Sequence, residues 1–115
     1  MLPNEWVNEF AGAVTVCDTQ GIIIEMNDKS AASFKKDGGR DLIGKNLLDC
    51  HPKAAREKLA DMMRYQKTNI YTIEKNGVKK LIYQAPVYKD GQYTGFVEIS
   101  MEIPFDMPHF IRDKS

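Results

Sequence analysis

Asp49, Cys50 and His51 stand side by side, a carboxylate, a thiol and an imidazole in three consecutive positions. A nucleophile and its base need side chains that converge. Neighbouring side chains diverge on a helix or a strand, so adjacency alone does not make a dyad. The other thiol, Cys17, closes an apolar run and reads as a small buried hydrophobe. His109 lies near the C-terminus and reads as solvated. There is no CxxC pair and no spaced His/Cys set of the kind that holds zinc. There is also no Gly-rich phosphate loop, no nucleophile elbow and no carboxylate pair beside a histidine. Acid catalysis would need a buried carboxylate; Glu25 and Glu98 come nearest, and both read as outward strand positions. Gln84 could offer a hydrogen-bonding group to a bound molecule, or lie on an open sheet face. Met26, Met62 and Met63, with Tyr71 and Tyr83, could line an adaptable pocket or fill a core.

The elements that position these residues follow from turns and periodicity. The chain has 115 residues, 16 basic and 16 acidic, so nothing steers it to nucleic acid or an anionic membrane. The start lacks a signal-peptide pattern and no apolar run could span a bilayer, which with two cysteines favours a reducing cytosol. Asp18-Thr19-Gln20-Gly21, Lys75-Asn76-Gly77-Val78 and Lys89-Asp90-Gly91-Gln92 lie between β-patterned runs and predict hairpins. Residues 13–17 and 22–26 form the first pair of strands. Asn69–Lys75, Lys79–Lys89 and Tyr93–Ile103 form the later three, with Pro86 predicting a bulge or a local loss of pairing. On the last strand Val97, Ile99 and Met101 share one face, and Phe96, Glu98 and Ser100 the other. Asn27 or Asp28 caps a short helix through Phe34, and Gly38-Gly39 ends it. Pro52 to Gln66 is the longest helix, with Ala55, Leu59, Met62 and Gln66 on one stripe and Met63 flanking it. A leading helix capped by Asn4 carries Leu2, Trp6 and Phe10 on one stripe, which should lie against something apolar. Residues 1–12 thus read as a flanking helix, 13–103 as one α+β domain and 104–115 as a loosely held tail.

This order resembles the PAS sensor-domain family over residues 9–103. Residues 13–26 are similar to its opening hairpin with an Asp-x-x-Gly turn. Asn27-Asp28-Lys29-Ser30-Ala31-Ala32 resembles its "N-x-A-A" helix start, and Leu42-Ile43-Gly44-Lys45-Asn46-Leu47-Leu48 its "hIG+xhh" segment. Residues 85–96 resemble its "xPhxDxxGxxxG" closing hairpin. Cys50-His51-Pro52 looks most like stand-alone or signalling-associated modules of bacteria. The resemblance implies a five-stranded antiparallel sheet in order 2-1-5-4-3, with short helices and one longer helix on one face. It also implies a sensory role: binding a small ligand, or mediating protein interaction and dimerisation, without catalysis.

The implied pocket would be lined by Val16, Met26, Phe34, Leu47, His51, Leu59, Met62, Met63, Tyr71, Gln84, Val97 and Ile99. A flavin photoadduct is not expected, because Leu47 stands where the family's reactive cysteine would be. The yellow-photoreceptor chemistry is not expected either, because Lys53, not a cysteine, follows Pro52. Haem is the alternative cofactor, through His51 or Cys50, although Arg56 and Glu57 occupy the usual ligand register. A further alternative is a small isomerase on an α+β cone. Homodimerisation is expected through Trp6, Val7 and Phe10 together with Phe96 and some of Leu81, Tyr83 and Val87 on the outer sheet face.

Overall fold

The computed structural model describes residues 5–113. Leu2 and Asn4, with their proposed stripe and cap, lie outside those residues. The chain runs α1 (Glu5–Asn8), β1 (Ala13–Asp18), β2 (Ile23–Met26), α2 (Asp28–Ser33), three short 3-10 turns, α3 (Lys53–Arg64), β3 (Asn69–Lys75), β4 (Val78–Lys89) and β5 (Gln92–Ile103). The strands form one antiparallel sheet in order β2-β1-β5-β4-β3.

Turn chemistry sets the hairpins. Asp18 Oδ1 accepts from the backbone N–H of Gln20 at 2.8 Å and of Ile22 at 3.0 Å, closing the β1–β2 connection. Asn76 and Gly77 have φ of 54° and 77°, and Asp90 and Gly91 have 50° and 78°. Both central residues are left-handed, as a two-residue turn matched to strand twist requires. The expected disturbance at Pro86 falls elsewhere. Pro86 pairs with Phe96, and the register slips between Val87 and Tyr88. Proline lacks only its N–H, so the rest of the ladder can pass it by.

Asn27 joins three elements at once. Its Oδ1 accepts from Val14 N and from Ser30 N, which caps α2. Its Nδ2 donates to Val7 O and Gly12 O, at 2.9 Å and 2.8 Å. Asn27 itself is fully buried.

The core forms two clusters on one sheet face. Leu59, Met62 and Met63 of α3 pack with Cys17 and Phe96. Ile23 and Met26 pack with Leu42 from the 3-10 linker. Leu59, Met62 and Met63 are the buried residues of α3; Lys53 through Lys58 are exposed. The anchored part of the helix is therefore its second half. Gln66, expected on the buried stripe, lies beyond the helix at φ 53° and accepts the Tyr88 hydroxyl at 2.8 Å.

α1 departs from expectation. Trp6 is 67% exposed and meets Phe10 edge-on at 5.9 Å, so the pair stack on each other and face water. A helix of 4 residues offers only one turn of surface, too little to bury two aromatics on a sheet. Phe105, Met107, Phe110 and Ile111 of the tail are exposed, and residues 104–113 have no regular structure. No helix among the described residues is long and apolar enough to cross a membrane.

Candidate functional site

Between α3 and the sheet lies a cleft of about 480 Å³. Its floor is the α3-facing side of β3, β4 and β5. The register brings Asn69, Gln84 and Glu98 opposite one another across three strands. Asn69 Nδ2 donates to Gln84 Oε1 at 3.0 Å, and Gln84 Nε2 donates to Glu98 Oε2 at 2.8 Å. Gln84 is 6% exposed, so this amide chain sits where a packed core would carry aliphatic groups. Tyr71, Ile73 and Ile82 continue the floor, while Ala55, Leu59 and Met62 form the roof. Burial pushes the Tyr71 hydroxyl pKa upward, and the negative charge of Glu98 adds to it.

A deeper hollow of about 30 Å³ lies beneath, bounded by Thr15, Cys17, Leu47 and Phe96. Phe34, His51, Leu59, Gln84 and Glu98 line both spaces. His51 is held by a hydrogen bond between Nδ1 and Leu47 O at 2.9 Å, part of the 3-10 turn that leads into α3. The Thr15 and Ser30 hydroxyls pair at 2.5 Å. Burial pushes the Cys17 thiol up to about 11, so it is a protonated packing group at neutral pH. Among the described residues no cluster of His, Cys, Asp or Glu could hold a metal ion.

The cleft thus gathers Phe34, Leu47, His51, Leu59, Met62, Tyr71 and Gln84 of the expected lining. Five expectations are corrected by strand phase. Val16, Val97 and Ile99 point away from α3, because they alternate with Thr15, Cys17, Phe96 and Glu98. Phe96, expected on the outer face, is 3% exposed and packs beneath α3. Glu98, expected outward, faces the cleft; Glu25, paired with Val16, faces away from it. Met26 is sealed in the second core cluster, and Met63 packs with Cys17 and borders a separate surface hollow. The polar floor residues Asn69, Glu98 and Ser100 are among the lining residues the sequence reading missed, as are Ile73, Lys80 and Ile82. The β3–β4 turn, which pairs Asn69 with Gln84, was the available signal for the first of them.

No family model and no curated protein matches the sequence. Solved structures do match the fold. A C-terminal domain from Streptococcus mutans aligns at TM-score 0.69 and 18% identity, over 84% of this chain and 78% of that one. A PAS domain from Colwellia psychrerythraea aligns at TM-score 0.63 and 20% identity, over 86% and 92%. The Aer2 receptor from Vibrio cholerae, described as a dual PAS-heme oxygen sensor, aligns at TM-score 0.57 and 17% identity, over 81% and 95%. At such identities the shared property is the fold: strand order 2-1-5-4-3 with the helices on one face makes this a PAS-like domain.

Proposed function

We propose that this chain is a sensory module that takes up a small organic molecule between α3 and the sheet and relays its presence without transforming it. The observation that carries this reading is Gln84. It is a buried amide on a central strand, bonded to Asn69 and Glu98, and it opens onto a cleft large enough for a guest. Packing alone would be better served by an aliphatic residue there, since a buried polar chain stabilises only when fully paired. Mixed apolar walls with a few convergent polar groups are the usual make-up of a ligand site. Native mass spectrometry of the purified protein, followed by a thermal-shift screen of small polar organics, tests the proposal. A bound mass, or a melting shift that Gln84→Leu abolishes, is the expected result. No bound mass and no shift across the library would overturn it.

His51 favours a second reading, a haem sensor. Its Nδ1 is anchored and its ring borders the cleft, as an iron ligand needs. The floor fits haem poorly, because the macrocycle would cover the Glu98 carboxylate and the Gln84 amide with apolar surface. A Soret band lost in His51→Ala would establish haem, and a colourless protein after haem addition would remove it.

The sensory reading includes pairing with a second copy of the chain. Trp6 and Phe10 are exposed, and Tyr83 stands 39% exposed on the face away from α3. Sedimentation of wild type and of a Trp6→Ala, Phe10→Ala variant tests it. A monomer in both would end the dimer idea.

A further inference from the structure

The charges around the cleft are sorted by position. At one end is Glu98, whose carboxylate accepts from the neutral Gln84 amide. Among the described residues the ion pair is Arg40 with Asp28, and Glu98 joins none. At the other end the cleft runs into a neighbouring hollow of about 230 Å³, which shares Ser33, Lys80 and Ser100 with it. Lys29 of α2 and Lys80 of β4 border that end, with Glu102 opposite Lys80 in the sheet. Lys58 of α3 adds a third ammonium at the cleft wall. The lysine end is therefore net positive and the Gln84 end net negative. The space between is mainly apolar, with Tyr71 and Ile82 beside Ser100 below and Leu59 and Met62 above.

The register supplies the spacing. Gln84 faces Glu98 and Lys80 faces Glu102, four positions further along the same strands. At about 3.3 Å per residue the two stations lie roughly 13 Å apart at the backbone, and the flexible lysine stem shortens the gap.

We propose that the guest in this cleft is an extended zwitterion, an ω-amino carboxylate, with its ammonium on Glu98 and Gln84 and its carboxylate on Lys80 and Lys29. The proposal rests on the ligand-binding reading above and narrows it. An α-amino acid carries both charges on one carbon and cannot reach both stations. A simple amine or a simple acid satisfies one end and leaves the other station's charge uncompensated.

Calorimetric titration with 6-aminohexanoate, hexylamine, hexanoate and alanine tests this. 6-Aminohexanoate should bind roughly tenfold or more tightly than each of the others, about 1.4 kcal/mol by the usual conversion. In Glu98→Gln, which keeps an acceptor for Gln84, 6-aminohexanoate and hexylamine should weaken while hexanoate does not. In Lys80→Gln the loss should fall on 6-aminohexanoate and hexanoate. Equal binding of 6-aminohexanoate and hexanoate by the wild type overturns the zwitterion and leaves the ligand-binding reading standing. So does an unchanged affinity in Glu98→Gln. Failure of all four probes overturns the zwitterion too, and the library screen described above then decides the broader reading.

Discussion

The two faces of the sheet contrast in a way opposite to simple expectation. The face under α3 carries Thr15, Asn69, Gln84, Glu98 and Ser100, of which Thr15 and Gln84 are buried. The opposite face carries Val14, Val16, Leu81, Val97, Ile99 and Met101, all partly open to solvent. In a domain built only for stability the apolar row would lie inward. Here two apolar clusters, with Ile82 and Ala13, fill much of the covered face, and Thr15, Asn69, Gln84, Glu98 and Ser100 are set among them. The buried polar side chains Thr15 and Gln84 lie on the covered face, and the uncovered face carries a half-exposed apolar row.

Perturbing each face should sharpen that contrast. The largest effect is expected at Gly95, where β1 and β5 press together. A Cβ there would meet the Cys17 carbonyl oxygen, a backbone atom that cannot step aside. Gly95→Ala should cost about 4 kcal/mol in a urea melt; an unshifted midpoint would show that the strands are not so close. Asn27→Ala comes next. It orphans the Val14 and Ser30 N–H groups and the Gly12 carbonyl together and leaves Val7 O with only the Phe10 N–H, for about 3 kcal/mol. A loss below 1 kcal/mol would mean that water replaces the side chain.

Alkaline stability probes the covered face through Cys17. Its folded pKa is raised from 9.0 to about 11, so the native state holds a proton that the unfolded chain gives up first. Stability from this group is complete below pH 9.0 and falls as pH rises toward 11, by about 2 kcal/mol. Burial raises Tyr71 and Tyr93 as well, so the difference between wild type and Cys17→Ala isolates the thiol. Parallel profiles of the two proteins would show Cys17 to be open to water. The smallest effect is expected on the uncovered face, where Tyr83→Ser should shift stability by about 0.5 kcal/mol. A change several times larger would mean that this face is covered in solution.

Much of the architecture was legible because turns and caps act locally. Asn76-Gly77 and Asp90-Gly91 name their turn type, and Asn27 names its cap. What could not be read was the phase of β5. From the turn, Lys89 pairs with Gln92 and Tyr88 with Tyr93. Continued without interruption, that register would set Gln84 opposite Val97. The slip at Val87/Tyr88 inserts one residue, and Gln84 meets Glu98 instead. One residue exchanges the two faces of a strand. That exchange moves Val97 and Ile99 out of the cleft and brings Phe96 and Glu98 in. The apolar alternation of β5 gave no hint, because the more apolar row is the uncovered one. The β3 side carried no slip, so the shared face of Tyr71 and Ile73 read correctly from sequence.

α3 is buried at Leu59, Met62 and Met63, while Lys53 to Lys58 are exposed along the cleft. The covering over Glu98 thus depends on three side chains at one end of the helix and on the His51–Leu47 hydrogen bond at the other. Two of those three are methionines, whose unbranched thioethers adapt to irregular neighbours, so the wall of the cleft is anchored by the most deformable apolar side chains available.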